Sequence, residues 1–100
     1  MAKVFEKQPS EIIDYFVNMI DYFEELEGDY VENTGDVTVN IEPSGSLIAG
    51  ATVLVNGGKD GFKQWFSGGT DKTKYKVTFL VTTYVGRVEE FEMYIKVKDT

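Results

Sequence analysis

From Lys74 onward the chain alternates apolar and polar residues with period two. Tyr75, Val77, Phe79 and Val81 fall on one face, and Lys74, Lys76, Thr78, Leu80 and Thr82 on the other. Phe91, Met93, Ile95 and Val97 alternate in the same way with Glu90, Glu92, Tyr94, Lys96 and Lys98. This alternation predicts two half-buried strands whose apolar faces line a core. A one-residue slip would turn one apolar set to solvent, so parity fixes the register of the hairpin they form. A loop of Tyr84-Val85-Gly86, with Gly86 supplying left-handed backbone, satisfies that parity. It sets Thr83 opposite Arg87, Phe79 opposite Phe91, Val77 opposite Met93 and Tyr75 opposite Ile95.

Upstream, Val37, Val39 and Ile41 alternate with Thr38 and Asn40. The turn residues Pro43-Ser44-Gly45-Ser46 then precede an apolar run from Leu47 to Val55, and two more strands fit there. Asn56 to Gly61 reads as a loop and Phe62 to Phe66 as a short strand. Ser67-Gly68-Gly69-Thr70-Asp71 reads as the turn into the long hairpin. Short strands punctuated by turn signals every 8 to 12 residues predict an all-β sandwich. Trp65 is expected to anchor its interior, and Tyr75, just after the Gly68-Gly69 turn, to serve as a corner tyrosine bonded to nearby backbone. The first third is open to two readings. Ile12, Ile13, Phe16, Val17, Ile20, Phe23 and Leu26 recur at helical spacing after Pro9-Ser10, while Ile13, Tyr15 and Val17 also alternate as a strand would.

Composition narrows the function. A 100-residue chain is one small domain, too short for a doubly wound sheet or an eight-fold barrel. Its 42% hydrophobic content and 14% aromatic content are enough to bury a core. The absence of Cys removes disulfides and thiol nucleophiles, and the absence of His removes the usual general base and commonest metal ligand. No apolar run reaches the 18 residues of a membrane span, and the start lacks the apolar run of a secretory signal, so a chain made in the cytoplasm is expected. Charge is lopsided: residues 1–42 hold eleven acids against Lys3 and Lys7, and residues 43–100 hold eight basic residues against six acids. The overall −7 disfavours nucleic acid and anionic membranes as partners and suits basic or polar protein surfaces.

Several groups are candidates for chemistry. Asp21, Glu24, Glu25, Glu27, Asp29, Glu32 and Asp36 place seven acids in sixteen residues. Hard cations want such carboxylates, but the spacing is not that of an EF-hand loop, and a solvated acidic surface is the plainer reading. Paired carboxylates also serve glycosidases, yet nothing in the pattern sets two of them in a cleft. No catalytic residue, cofactor or metal is therefore assigned. The aromatics Tyr22, Phe23, Tyr30, Phe62, Tyr84 and Tyr94 exceed what a small core needs, and surface Tyr suits protein interfaces and sugar platforms. Gly68-Gly69 precedes a strand rather than a helix and marks a turn, not a phosphate loop. Residues 1–9, polar with Val4 and Phe5 embedded, read either as a frayed end or as an arm that docks on a neighbour, ahead of a single domain over 10–100.

Taken in order, Lys7-Gln8-Pro9, Ile13-Asp14-Tyr15, Val17-Asn18, Tyr22-Phe23, Gly28-Asp29 and Val37-Thr38-Val39 begin a pattern. Trp65-Phe66-Ser67-Gly68-Gly69-Thr70, Tyr75-Lys76-Val77-Thr78, Thr82-Thr83, Gly86-Arg87 and Ile95-Lys96-Val97-Lys98-Asp99 complete it. In this order the sequence is similar to small immunoglobulin-like β-sandwich proteins of tailed bacteriophages and prophages, described as fibre–tail adaptors. Met19 stands where members commonly carry Trp, and the stretch from Pro43 to Gly61 is longer and more divergent. The resemblance implies an immunoglobulin-like antiparallel sandwich of about seven strands, with Ile12 to Asn18 a first strand and Ile20 to Glu25 a short helical turn after it. It also implies a non-enzymatic virion protein bridging tail or neck to fibres in several copies, with other virion proteins as partners. Val4, Phe5, Tyr22, Phe23, Glu24, Glu25 and Tyr30 are the candidate contact residues. A capsid decoration protein and a carbohydrate- or host-surface-binding module remain alternatives, because a sandwich hosts all three.

Overall fold

The computed structural model describes residues 3–25 and 28–99; Met1, Ala2, Leu26, Glu27 and Thr100 lie outside them. Seven strands occur among the described residues: β1 (Lys3–Lys7), β2 (Ile13–Asn18), β3 (Val37–Glu42), β4 (Leu47–Val55), β5 (Gly61–Gly68), β6 (Thr73–Thr82) and β7 (Val88–Val97). A six-residue helix, α1 (Ile20–Glu25), follows β2, and single 3-10 turns span Thr34–Asp36 and Asn56–Gly58. The strands make two sheets, ordered β1-β7-β6-β3 and β2-β5-β4. This is an all-β sandwich.

The β6–β7 hairpin has the register that parity dictated, with Phe79 opposite Phe91, Val77 opposite Met93 and Tyr75 opposite Ile95. Its loop closes by a bond from the Thr83 amide to the Arg87 carbonyl (2.8 Å), and Gly86 takes φ 99°. Tyr75, Val77, Phe79, Val81, Met93, Ile95 and Val97 are buried, and Phe91 packs half-buried against them. From the other sheet come Tyr15, Phe62, Phe66 and Leu47. The edge-on Phe62–Phe79 pair, 5.3 Å between centroids, and the tilted Phe5–Tyr15 pair at 4.6 Å join the two sheets. Burying each such side chain contributes about 1.5–3 kcal/mol. Tyr75 performs the corner role: its hydroxyl accepts from the Thr70 amide at 3.0 Å. Gly68 (φ 73°) and Gly69 (φ 105°) form the turn beside it.

Four expectations need correction. Residues 3–7 are not a free arm: they form β1, paired parallel with β7 from Lys3 opposite Met93 to Lys7 opposite Val97. Sheet pairing is therefore not wholly antiparallel, while α1 follows the strand that ends at Asn18, where the helical turn was expected. Lys7 lies inside, 1% exposed, its Nζ donating to the carbonyls of Gln8 (2.8 Å) and Gly68 (2.6 Å), which stitches β1 to the glycine turn. Burial lowers its pKa despite the nearby charge of Glu11.

The third correction concerns Trp65, which is 37% exposed on the outer face of its sheet. Alternation along β5 turns Phe62, Gln64 and Phe66 inward and Lys63 and Trp65 outward. A polar residue at the central inward position disguised the phase. Gln64 is tolerated there because β4 bulges: Ala49 faces Phe66 and Thr52 faces Gln64, so β4 spends one residue more than β5. The bulge presents the Gly50 carbonyl to the Gln64 amide (3.0 Å), which also bonds the Trp65 carbonyl (3.1 Å) and accepts from the Thr52 hydroxyl. The fourth is Phe62, grouped with the surplus aromatics but fully buried.

Candidate functional site

One end of the sandwich gathers chemistry-bearing side chains from three segments distant in sequence. They are α1, residues 28–32, and the β6–β7 loop. At their centre is Asp29, whose side chain is fully buried. One carboxylate oxygen accepts from the amides of Tyr30 (2.9 Å) and Val85 (3.1 Å), and the other from the Arg87 guanidinium (2.8 Å). Burial alone would raise its pKa. Hydrogen bonds from Thr83, Arg87, Val85 and Tyr30 outweigh that and hold the carboxyl below the ordinary value. The Tyr84 amide adds a bond to the Tyr30 carbonyl at 2.8 Å. Asp29 thus clamps the 28–31 segment onto the hairpin loop.

The clamp displays aromatic surface. The Tyr30 and Tyr84 rings stack with centroids 4.8 Å apart and planes 16° from parallel. Tyr84 and Val85 are each 58% exposed, and Val88 stands out beside them. Burial, followed by the charge of Glu32, raises the Tyr30 pKa, so the phenol stays neutral and able to donate. Tyr22 packs edge-on against Phe23 and Phe91. Its pKa is raised by burial and by the nearby charge of Glu89. Glu24, Tyr30 and Asp29 line one cleft together with Lys59 and Asp60. Exposed Tyr with Arg on a pre-ordered scaffold is the composition of interface hot spots.

The structure treats the expected contact residues unequally. Tyr22, Tyr30, Glu24 and Glu25 reach this end, with both glutamates exposed. Phe23 does not qualify: it is 7% exposed and belongs to the core, because α1 turns that face onto the sandwich. Phe5 packs against Tyr15, so of the two β1 candidates only Val4, 54% exposed, is free to touch a partner. Val4 sits opposite Tyr94, six residues along β7 from Val88, which is roughly 20 Å of strand from the tyrosine tip. The two groups of candidates do not share one surface.

Residues 7–96 match the family described as "Podophage GP4 fiber-tail adaptor protein gp77". The chain belongs to this family. No curated protein matches it. Within this fibre–tail adaptor the match takes in the whole tip and all strands but most of β1 and the last residue of β7. Sequence reasoning missed Asp29 as the organiser of the tip, reading it as one acid among seven. Its signal was present as Gly28-Asp29 and Gly86-Arg87, two short motifs 58 residues apart whose pairing only the fold reveals. Tyr84 was singled out among the surplus aromatics but not paired with Tyr30, and Val85, 58% exposed, was read only as loop.

Proposed function

We propose that this adaptor is a non-enzymatic virion component that bridges tail or neck to fibres in several copies, with the sandwich as spacer and the tyrosine tip as one docking end. The family match over residues 7–96 carries the reading. Two features support it. The molecule extends 43 × 24 × 20 Å, elongated enough to separate two attachment points. Its tip is held in place by Asp29, which satisfies three donors at once, and leaves an aromatic surface that needs little ordering on binding. Around the tip, Glu24, Glu25 and Glu32 are exposed, which suits a basic receiving surface. Nucleic acid and membrane are not among the partners proposed, and no cofactor is.

The test is to label the chain within purified particles and count its copies. A few copies located at the tail support the adaptor reading. Many copies spread over the head would instead indicate a capsid decoration protein, and absence from particles would return a carbohydrate- or host-surface-binding module to the front. For the tip, Glu24→Lys with Glu25→Lys is expected to weaken attachment to tails; unchanged attachment would clear that segment.

A further inference from the structure

One of the two edges of the smaller sheet is β4, which ends the order β2-β5-β4. Open edges are normally defended by charge, proline or shortness. The others here are: β1 carries Lys3 and Glu6, β2 carries Asp14, and β3 ends at Glu42 before Pro43. The nine residues of β4, Leu-Ile-Ala-Gly-Ala-Thr-Val-Leu-Val, include no charge and no proline. Ile48 and Val53 on its outer face are 60% and 46% exposed, with Trp65 on β5 exposed on the same face and Lys63 opposite Val53.

The bulge decides what kind of strand fits this edge. Outward from Gly50–Ala51 in both directions the facing is the same. Ala49 and Thr52 turn inward, Ile48 and Val53 outward, and Leu47 and Leu54 inward. A regular strand can follow β4 past the bulge only by setting one residue opposite two, as β5 does, and so leaves a residue of β4 unpaired. A second copy of the chain carries the same bulge. Laid antiparallel about a two-fold axis between Gly50 and Ala51, it stays in phase on both sides, with Leu47 opposite Leu54, Ile48 opposite Val53 and Ala49 opposite Thr52 of the other copy. A two-fold interface must be self-complementary, and this strand is so in facing, in size and in lack of charge.

We propose that two copies of this chain pair through β4 in that register, making a continuous six-stranded sheet. The −7 charge does not oppose it. The exposed acids of α1 and of residues 32–36 follow the Asn18 end of β2, which lies level with Gly61 and Val55. An antiparallel pair sends these two acidic ends in opposite directions, apart by roughly the 30 Å length of the strand. That exceeds the screening length of about 8 Å at physiological salt.

The pairing is independent of the adaptor reading and is tested on the isolated full chain. Sedimentation equilibrium between about 5 μM and about 1 mM covers the range of weak interfaces. The wild type is expected to show a reversible monomer–dimer equilibrium. Ile48→Lys with Val53→Lys sets like charges opposite each other twice across the axis and is expected to weaken the dimer at least tenfold. Ile48→Lys with Val53→Glu sets opposite charges there and is expected to restore it, in a manner sensitive to salt. Both positions face solvent, and circular dichroism with thermal melting verifies that the variants fold. A wild type that stays monomeric throughout, a double-lysine variant that associates undiminished, or a lysine–glutamate variant no tighter than the double-lysine one would overturn the proposal.

Discussion

Asp29 and Arg87 are single residues on which a whole surface depends. Replacing Asp29 by Ala leaves the Tyr30 and Val85 amides and the guanidinium without their acceptor. The expected cost is about 2 kcal/mol, which in a domain this size lowers Tm by on the order of 10 °C. Asp29→Asn keeps an acceptor and loses the charge, so its loss should be smaller. The two carboxylate states also separate by pH. Because the folded carboxyl titrates below the ordinary value, the unfolded chain takes up the proton first as pH falls. The stabilisation is therefore complete above about pH 4, near the unfolded carboxyl's own pKa, and disappears as pH drops through the folded value. Thermal melts should show a gap between wild type and Asp29→Asn that is full at pH 6 and narrows steadily below pH 4. A gap independent of pH would mean that the charge of Asp29 contributes nothing.

Among the elements, the turn at Asn56–Gly58 shows how a loop fixes the sandwich. Gly57 (φ 63°) and Gly58 (φ 87°) both hold left-handed backbone, but their surroundings differ. A Cβ on Gly57 would meet nothing within 4 Å, whereas one on Gly58 would lie 1.8 Å from the Val31 carbonyl oxygen. Val31 is fully buried and its amide bonds the Gly58 carbonyl at 3.1 Å, so it has no room to yield. Gly57→Ala should cost about 1–2 kcal/mol, the price of the backbone conformation alone. Gly58→Ala should exceed that by several kcal/mol or prevent folding, read as Tm or as soluble yield. Equal effects would show that the close approach to Val31 is relieved by movement of the 28–31 segment.

Elements also explain what the sequence could and could not reveal. The β6–β7 hairpin was legible because both strands alternate cleanly and are joined locally, so parity left one register. β1 was not, since Lys3–Lys7 pairs in parallel with a strand some ninety residues away and its inward positions are Phe5 and a buried Lys7. No local rule anticipates a lysine satisfied by two carbonyls. Trp65 was misplaced for a related reason: hydrophobicity pointed inward, while the phase set by Phe62 and Phe66 pointed outward. The division between β2 and α1 was settled by resemblance rather than by spacing, because the apolar positions before Met19 fit helix and strand alike. At the tip, Tyr22, Tyr30 and the glutamates were visible as a composition, but their organiser was not, because the clamp joins residues at opposite ends of the chain.

For the molecule as a whole, charge and apolar contact are expected to act on different stages of attachment. Glu24, Glu25 and Glu32 are exposed beside the tip, and long-range attraction between them and a basic receiving surface would raise the rate of encounter without adding much to the lifetime of the complex. The stacked Tyr30–Tyr84 pair and Val85 would act only after contact, by excluding water from a pre-ordered surface. Attachment to particles lacking this protein should therefore slow as salt rises from about 50 to about 300 mM, as the screening length shortens. Glu24→Lys with Glu25→Lys should reduce the association rate and flatten that salt dependence while leaving dissociation nearly unchanged. Tyr84→Ala should do the reverse, leaving association near the wild-type rate and speeding release by tenfold or more, since changes at a buried anchor act mainly on dissociation. Tyr84 is mostly exposed, so the variant should melt within a few degrees of the wild type, which separates lost contact from lost fold. If Tyr84→Ala changes neither rate, the tip does not touch the partner, and the outer face around Val4 becomes the surface to mutate next.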